Sequence, residues 1–378
     1  TGGEIHVRGG RGGEISYMID GISVTDPYNS GLAVEIENNA IQELQFISGT
    51  FNAEYGQAMS GIVNIVTKDG NFSDYSGSFS LNHSGYNSGK NTDIFHQLDR
   101  IDFNNISDII SDIKGDIEGP IIPGKLSFFA SGRFKRENGY LYGQRIFHPN
   151  SFVWSEVENI WKIDNLVGLG NGDTLSNSDI LKPILDSLRA ADAFDWVAMD
   201  WHEQVTGQAK FSWRMNPYIK ISYNRMYSDT KSQDYSHEYR WNPDGRSNSF
   251  NTRIGDLIRA DWSISQSTFA NIMYSRTENH YRSHLSPDPD FYTKIKEDWT
   301  SSDEYFSTFD SNLYYVDPDI FLYSPGNNFY VGGQSMDVYS RKSTVNTLKA
   351  EITNQFNKEH QLKVGIESRK TKIRLFRL

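Results

Sequence analysis

Apolar and polar residues alternate along several long stretches of the chain, a pattern typical of β-strands whose two faces meet different surroundings. Between positions 205 and 214, one face carries Val205, Gly207, Ala209, Phe211 and Trp213, and the other carries Thr206, Gln208, Lys210, Ser212 and Arg214. The same alternation runs through 219–224, 348–356 and 362–369. Because a slip of one residue would exchange the faces, the register of these strands is well specified.

The strands predicted after Gly70 come in pairs that short turns join and long polar segments separate. The turns are predicted at 119–125, 215–217, 266–267 and 357–360. The long segments cover roughly 87–111, 138–203, 229–253 and 283–344. Short turns at one end and long loops at the other are the plan of an outer-membrane barrel, with the short turns in the periplasm.

The first seventy residues differ in composition from the rest of the chain, with many glycines and short runs of β-branched residues. Asp20-Gly21 separates the alternating residues 15–19 from Ile22 and Val24, and Asp-Gly is a strong hairpin signal. Residues 41–47 and 62–68 are predicted to form two further strands. We expect this region to be a compact unit of short strands.

The composition adds evidence on the kind of protein, because the chain is polar on average yet rich in aromatic residues. It has 378 residues, 13% aromatic and 22% charged residues, a net charge of −11 and no cysteine. Lipid-facing strands with aromatic girdles produce this combination. No apolar run approaches the ~18 residues that suggest a membrane helix. The absence of cysteine excludes disulfides, thiolate metal sites and cysteine nucleophiles.

Two all-β architectures alternate in this way, a soluble sandwich and a transmembrane antiparallel β-barrel. Sandwich strands average about 5–6 residues, and several strands here exceed about ten, which favours the barrel. Nine barrel strands are visible, whereas a barrel that holds a plug needs about 22. An odd number does not close in the usual antiparallel way, so we expect the sequence to be incomplete.

The residues before position 70 resemble the second half of the plug of TonB-dependent outer-membrane receptors. Four elements carry the resemblance in the family's order: 7–9, 17–24, 41–49 and 55–68. The plug-motif residues are Arg8, Gly9, Asp20, Gly21, Tyr55, Gly56, Gly61 and Asn64. Residues 119–129 are also similar to the second and third barrel strands of a large branch of this family.

The resemblance implies an α+β plug over residues 1–70, inside a barrel whose first strands occupy 71–378. It implies an outer-membrane location and coupling to the TonB–ExbB–ExbD complex, with a chelate, glycan or peptide as ligand. Outer-membrane lipid and a surface lipoprotein are further expected partners. No cofactor or resident metal is expected. The first half of the plug and the TonB box have no counterpart in the sequence, so energy coupling is implied by the family alone.

Within the plug, we expect Gly9, Gly10, Gly21, Gly56 and Gly61 to supply positive φ angles or close backbone approach. The polar lumen around a plug requires that its charges find partners or water. Candidates for ion pairs with the barrel wall are Arg8, Arg11, Glu43 and Glu54. The alternative is that these four are ordinary solvated charges.

Other chemical motifs are weak. The run 8–13 resembles an RNA-binding arginine-glycine box but lies in an acidic chain. The glycines of 168–172 lack the strand and helix that a dinucleotide loop requires. The histidines form no metalloprotease motif, so catalysis is not expected. The acidic runs 287–290 and 298–304 suit either calcium or plain solvation.

The long loops are rich in aromatic rings, which suit capture of a ligand at the outer face. The candidates are Trp196, Trp201, Tyr235, Tyr239, Trp241, Tyr292 and Trp299. The alternative is that these rings pack the loops against one another. Apolar spacing across 179–193 also predicts a short helix in the second loop, with Pro183 in its first turn.

The leading functional hypothesis is active uptake, in which a ligand binds the loops and TonB then rearranges the plug. The rival is a plugged barrel of the same fold that serves as a surface scaffold or secretion component without TonB-driven transport. An enzyme is the third class, and it lacks any catalytic constellation in the sequence.

Overall fold

A computed structural model of the chain describes residues 12–48, 56, 59–84, 110–139, 141–147, 152–155, 160–163, 196–285, 330, 335 and 337–377. The predictions for Arg8, Gly9, Gly10, Tyr55, Tyr292 and Trp299 lie outside these residues. So do those for Arg11, Glu54, the glycine loop 168–172, the helix 179–193 and the acidic runs. Within the described residues, no helix is long and apolar enough to cross a bilayer.

The N-terminal region forms a four-stranded sheet in the order β2-β1-β4-β3. The strands are β1 (Ile15–Ile19), β2 (Ile22–Ser23), β3 (Ile41–Ile47) and β4 (Gly61–Thr67). β1 lies parallel to β4, and the other two pairs are antiparallel. Among the described residues of this region, the remaining regular structure is short 3₁₀ turns. We call residues 12–70 the plug.

The predicted hairpin at Asp20-Gly21 is confirmed. Asp20 has φ 49° and Gly21 has φ 88°, so both central positions of the turn lie in the left-handed region. Aspartate tolerates that region better than most residues, and glycine enters it without strain. The expectation for Gly56 stays a prediction, because the residues on either side of it lie outside those described. Gly61 begins β4 opposite Ile15 without a positive φ.

The second sheet is the predicted set of nine antiparallel strands, which we call the wall. Its strands follow one another in the order of the chain, so each pairs with the one before and the one after. They are β5 (Ser76–Ser84), β6 (Ile110–Ile122), β7 (Leu126–Asn138), β12 (Trp201–Asn216), β13 (Ile219–Gln233), β14 (Asn248–Ser263), β15 (Thr268–His284), β16 (Tyr339–Gln355) and β17 (Gln361–Arg377). Four short strands lie in the long loop between β7 and β12: β8 (Tyr142–Gln144), β9 (Phe152–Ser155), β10 (Ile160–Ile163) and β11 (Trp196–Ala198).

Several wall strands are longer than the sequence pattern predicts. β12 begins at Trp201 rather than Val205, β13 continues to Gln233, and β14 begins at Asn248. At the turn end, β6 runs through Ile122 into the segment predicted as a turn. The apolar alternation marks only the stretch that faces lipid. Backbone pairing continues beyond it with polar side chains, which an alternation pattern does not detect.

The predicted division of faces is confirmed in the wall. On β12 the polar residues Thr206, Gln208, Lys210 and Ser212 are buried, whereas Val205, Phe211 and Trp213 are exposed. The plug covers the polar face, and the apolar face points outward. The wall is therefore built as a lipid-facing barrel sheet around a polar interior.

Candidate functional site

The interface between the plug and the polar face of the wall is the best-defined site in the described structure. Its centre is Lys210, which stands in the middle of β12 and is 5% exposed. The residues on either side of it along this face, Gln208 and Ser212, are also buried. The alternation of β12 thus turns a lysine inward, toward the plug, where its buried charge needs a partner.

The Lys210 ammonium has partners in three plug residues. Its Nζ lies 3.3 Å from Asp20 Oδ2 and 2.9 Å from Asp69 Oδ1. It also donates to the carbonyl oxygen of Thr67 at 3.2 Å and to Thr67 Oγ1 at 2.8 Å. A buried ammonium is tolerated when its charge is paired and its protons are bonded, and both conditions are met here.

Asp20 binds both Lys210 and the end of strand β4. Its two carboxylate oxygens accept hydrogen bonds from the Thr67 backbone N–H at 2.8 Å and from Thr67 Oγ1 at 2.7 Å. Asp20 is 8% exposed and Thr67 is 1% exposed. The aspartate of the hairpin therefore has a second role beyond its turn geometry, because it links the turn, β4 and the wall.

Asp69 connects the same cluster to the next wall strand. It forms a second ion pair with Lys220 of β13 and accepts a hydrogen bond from Ser212 Oγ at 3.0 Å. Burial by itself raises the pKa of Asp69, but the two lysines outweigh it and hold the pKa at about 2. The carboxylate is therefore ionised at any pH at which the protein functions.

The turn that follows Asp20 is bonded to two further wall strands. Arg259 of β14 donates to the Asp20 carbonyl at 2.7 Å, and Lys349 of β16 donates to the Gly21 carbonyl at 3.3 Å. Within the plug, the Gly21 N–H donates to Asn64 Oδ1 at 3.3 Å. The motif residues Asp20, Gly21 and Asn64 are thus brought together at one turn.

Polar contacts continue along the rest of the plug. Glu37 accepts bonds from Arg133 at 3.1 Å and from Thr206, and it is 8% exposed. Glu35 pairs with Arg253 at 3.4 Å. Asp26 accepts from Asn279 Nδ2 at 2.6 Å. Plug carboxylates therefore contact wall strands β7, β12, β13, β14 and β15.

One apolar seam crosses the polar interface. The plug core of Ile15, Ile19, Ile22, Val24, Val34, Val63 and Ile65 packs against three inward wall residues, Met226, Leu257 and Met273. Beside it, Gly255 leaves room for the plug, because a Cβ built on it would lie 2.7 Å from Val34 Cγ1. Backbone and side chain meet closely here, so the plug fits the wall by shape as well as charge.

The ion pairs of the site involve residues that sequence reasoning did not single out, apart from Asp20. Of the predicted ion-pair candidates, only Glu43 is described. It is exposed, accepts a hydrogen bond from Gln45 and forms no ion pair with a described residue. The available signal for Lys210 was a lysine in the middle of a strand face that holds Thr206, Gln208 and Ser212 around it and Arg214 at the turn end.

A second candidate region lies in the long loops beyond the wall. Ile146, Phe147 and Met199 are fully buried there. The segments are joined by the Arg145–Asp244 ion pair at 2.6 Å and by backbone bonds from Gln144 to Arg240 and from Phe147 to Trp241. The first two long loops after β7 therefore pack on each other as one unit.

The ring residues predicted for ligand capture are divided between packing and exposed positions. Tyr239 is buried, with its ring centroid 4.8 Å from that of Tyr330, and burial raises the pKa of its phenol to about 12. Tyr235 is half-buried and bonded to His237 Nδ1 at 2.8 Å. Trp241 is half-buried in the joined loops.

The other two described candidates lie where the loops meet the wall. Trp201 is the first residue of β12, and Trp196 is the first residue of β11, where its backbone pairs with Gln144 of β8. For Tyr239 the structure favours the packing role. It does not bring these ring residues together into one pocket within the described part of the chain.

The joined loops give a testable prediction at Gly143. A Cβ at this position would lie 2.4 Å from Met199 Sδ and 2.7 Å from the Arg240 carbonyl oxygen. We expect Gly143→Ala to loosen the loop unit at a cost of about 1–3 kcal/mol, the usual range for overpacking. The measurement is protease cleavage of the loops in the detergent-solubilised protein. Gly207→Ala is the control, because its nearest neighbour is 3.8 Å away, and equal cleavage of both variants would contradict the prediction.

An antiparallel wall with an apolar outer face and a mixed-sheet plug bonded to its inner face defines a plugged outer-membrane barrel. This is the fold of TonB-dependent outer-membrane receptors. Barrels of this fold lie in bacterial outer membranes.

Solved structures with this fold include three receptors and transporters. The outer membrane transporter YddB from Escherichia coli gives a TM-score of 0.56 at 11% identity, over 96% of this chain and 41% of its own. The siderophore receptor PirA from Acinetobacter baumannii gives a TM-score of 0.51 at 10% identity, over 97% of this chain and 41% of its own. The pyoverdine receptor FpvA from Pseudomonas aeruginosa gives a TM-score of 0.52 at 9% identity, over 97% of this chain and 40% of its own.

Among curated proteins, the TonB-dependent transporter Oar of Myxococcus xanthus is similar in sequence. It is 28% identical over 127 residues, which is 33% of this chain and 12% of Oar. No protein-family model matches the chain. The chain spans less than half the length of each of these relatives.

Proposed function

We propose that the chain is part of a TonB-dependent receptor for active uptake of a nutrient ligand, either a chelate, a glycan or a peptide. In this proposal residues 1–70 belong to the plug, and residues 71–378 form the first part of the barrel with its extracellular loops. The ligand binds the loops, and the TonB–ExbB–ExbD complex supplies the energy that displaces the plug. No covalent chemistry is involved.

The observation that carries the proposal is the chemical nature of the plug–wall interface. Beside the seam at Met226, Leu257 and Met273, the interface holds ion pairs and hydrogen bonds such as those of Lys210, Arg259 and Asn279. It also holds a cation–π contact between Lys68 of the plug and Phe129 of the wall. Water can replace such bonds one at a time, so a polar interface separates more readily than a continuous apolar one. A plug held in this way suits a reversible gate.

The relatives support the same class of ligand transport. PirA is described as a siderophore receptor, FpvA as a pyoverdine receptor, and YddB and Oar as transporters. The ring-rich loops of this chain suit chelates, glycans or peptides equally. The choice among these ligands therefore belongs to experiment.

The test is growth of the native bacterium on one limiting nutrient at a time: a ferric siderophore, an oligosaccharide or a peptide mixture. We expect deletion of the gene to abolish growth on at least one of them, and deletion of TonB to have the same effect in cells that keep the gene. Re-expression of the protein should restore growth only where TonB is present. Growth that needs the gene but continues without TonB would contradict the proposal.

The rival function is a plugged barrel that serves as a surface scaffold or secretion component. It predicts that gene deletion leaves growth on every nutrient unchanged and removes a protein from the cell surface. Surface proteomics of the same deletion strain therefore separates the two functions.

A further inference from the structure

A basic groove lies on the outward face of the wall, the face opposite the plug. Strands β15, β16 and β17 form it, and its volume is about 370 Å³. Its charged residues are Arg276, Glu278, Lys342, Lys370, Lys372 and Arg374. Five cationic side chains thus face one carboxylate, on a chain whose net charge is −11. A local excess of this size and sign indicates an anionic ligand.

The strand registers show that the groove opens outward. Arg276 is opposite Asn346, which is opposite Lys370, and residues directly opposite each other share a face. The residues directly before and after Arg276 on β15 point to the other face of the sheet. These residues, Ser275 and Thr277, are 2% and 4% exposed because they face inward. Arg276 is 55% exposed.

The groove is also at a defined depth relative to the bilayer. Just below it on the same face lie Ile272, Leu348 and Ile366, all exposed apolar residues. Tyr274 is 40% exposed, and its hydroxyl donates to Asn346 Oδ1 at 3.1 Å. A ring with its polar end bonded above an apolar band is typical of the membrane interface.

Distance along the strands gives the same depth. A membrane-spanning strand needs about 9–11 residues. Counted from the short-turn end, Arg276 is the ninth residue of β15 and Lys370 is the tenth of β17. Because the short turns of such barrels lie in the periplasm, the groove is level with the headgroups of the outer leaflet.

The carboxylate in the groove neutralises only part of its charge. Glu278 pairs with Lys342 at 2.6 Å and with Arg276 at 3.5 Å. Lys370 and Lys372 are exposed, and neither has an ion-pair partner among the residues that the structure describes. Their ammonium groups remain available for a ligand that approaches from the membrane.

We propose that this groove binds the phosphorylated headgroup of an outer-leaflet lipid. Lys370 and Lys372 contact the phosphate as charged donors. The planar guanidinium group of Arg276 can donate hydrogen bonds to two phosphate oxygens at once. The acyl chains of the same lipid lie against Ile272, Leu348 and Ile366, directly below. This combination of phosphate site and adjoining apolar band favours a lipid over free phosphate. The proposal depends on the wall alone and is independent of transport.

The test uses the purified protein in nanodiscs of phosphatidylcholine that contain bisphosphorylated lipid A, with native mass spectrometry to count bound lipid A. We expect Lys370→Gln with Lys372→Gln to reduce affinity about thirtyfold, the effect of two cations beside an anionic membrane surface. The matched control is Lys125→Gln with Lys358→Gln. It removes the same charge from two exposed lysines in the short turns and should leave affinity unchanged.

Two further arms identify the source of the phosphate. Lipid A stripped of its phosphates should bind as weakly to the protein as intact lipid A binds to the double variant. Inorganic phosphate should displace intact lipid A only at concentrations far above that of the lipid. Equal binding of lipid A to the protein and the double variant would overturn the proposal. So would equal binding of stripped and intact lipid A, or displacement by phosphate at equal concentration.

Discussion

A disulfide between positions 34 and 255 is expected to abolish uptake, and reduction of that disulfide is expected to restore it. The double substitution Val34→Cys with Gly255→Cys joins the plug to wall strand β14. If the plug must move to let a ligand pass, one covalent bond across the interface stops every turnover. The expected effect is therefore a complete loss rather than a partial one.

The geometry of this pair favours the cross-link. An ideal Cβ on Gly255 lies 3.5 Å from Val34 Cβ. Disulfides have a Cβ–Cβ separation of about 3.5–4.5 Å, so the backbone needs little adjustment. The chain has no other cysteine, so no competing disulfide can form within it. The close atom, Val34 Cγ1 at 2.7 Å, is removed by the substitution itself, and Met226 Cε at 3.0 Å is the end of a flexible side chain.

The measurement is TonB-dependent growth of cells that carry the double variant, on the nutrient identified for the unmodified protein. Growth is compared with and without a membrane-permeable reductant. The control disulfide is Ser275→Cys with Thr347→Cys, which joins directly paired residues of β15 and β16 within the wall. We expect the control to grow normally under both conditions. Normal growth of the oxidised 34–255 variant, with the disulfide shown by mass spectrometry, would exclude plug movement at this position.

The sequence predicts the wall better than it predicts the site. Alternation at 205–214 sets which side of β12 faces inward, because a strand has only two faces and lipid tolerates only one kind of side chain. The Asp-Gly pair sets the plug hairpin, because few residue pairs adopt two successive positive φ angles. Both features are local, and the structure confirms both.

The partners across the interface depend on how two separately folded sheets fit together. Asp20 and Lys210 are 190 residues apart, and Asp26 and Asn279 are 253 apart. Knowing that Lys210 faces inward does not show which plug carboxylate it meets, since that depends on the rotation and depth of the plug. For the same reason, the packing of Tyr239 on Tyr330 could not be distinguished from a ligand-binding position.

Removal of the Lys210 charge is the second change with a large expected effect. Lys210→Met keeps much of the side-chain volume but leaves the buried Asp20 carboxylate without its ion-pair partner. Breaking a buried pair in this way costs about 3–5 kcal/mol, because the remaining charge is buried without compensation. We expect the plug to leave the wall at a clearly lower urea concentration, measured by protease cleavage of plug residues in detergent micelles.

Lys220→Met is the matched control, since Lys220 pairs with Asp69 of the same cluster but its side chain is 34% exposed. A pair that is about one third exposed contributes less than a fully buried one, so this variant should release the plug at a urea concentration closer to that for the unmodified protein. Combining Asp20→Asn with Lys210→Met should recover part of the loss, because no unpaired charge remains at Asp20 and asparagine also tolerates the positive φ of the turn. If Lys210→Met and Lys220→Met shift the urea midpoint equally, burial does not set the strength of the pair. The centre of the plug–wall site would then lie elsewhere along the interface.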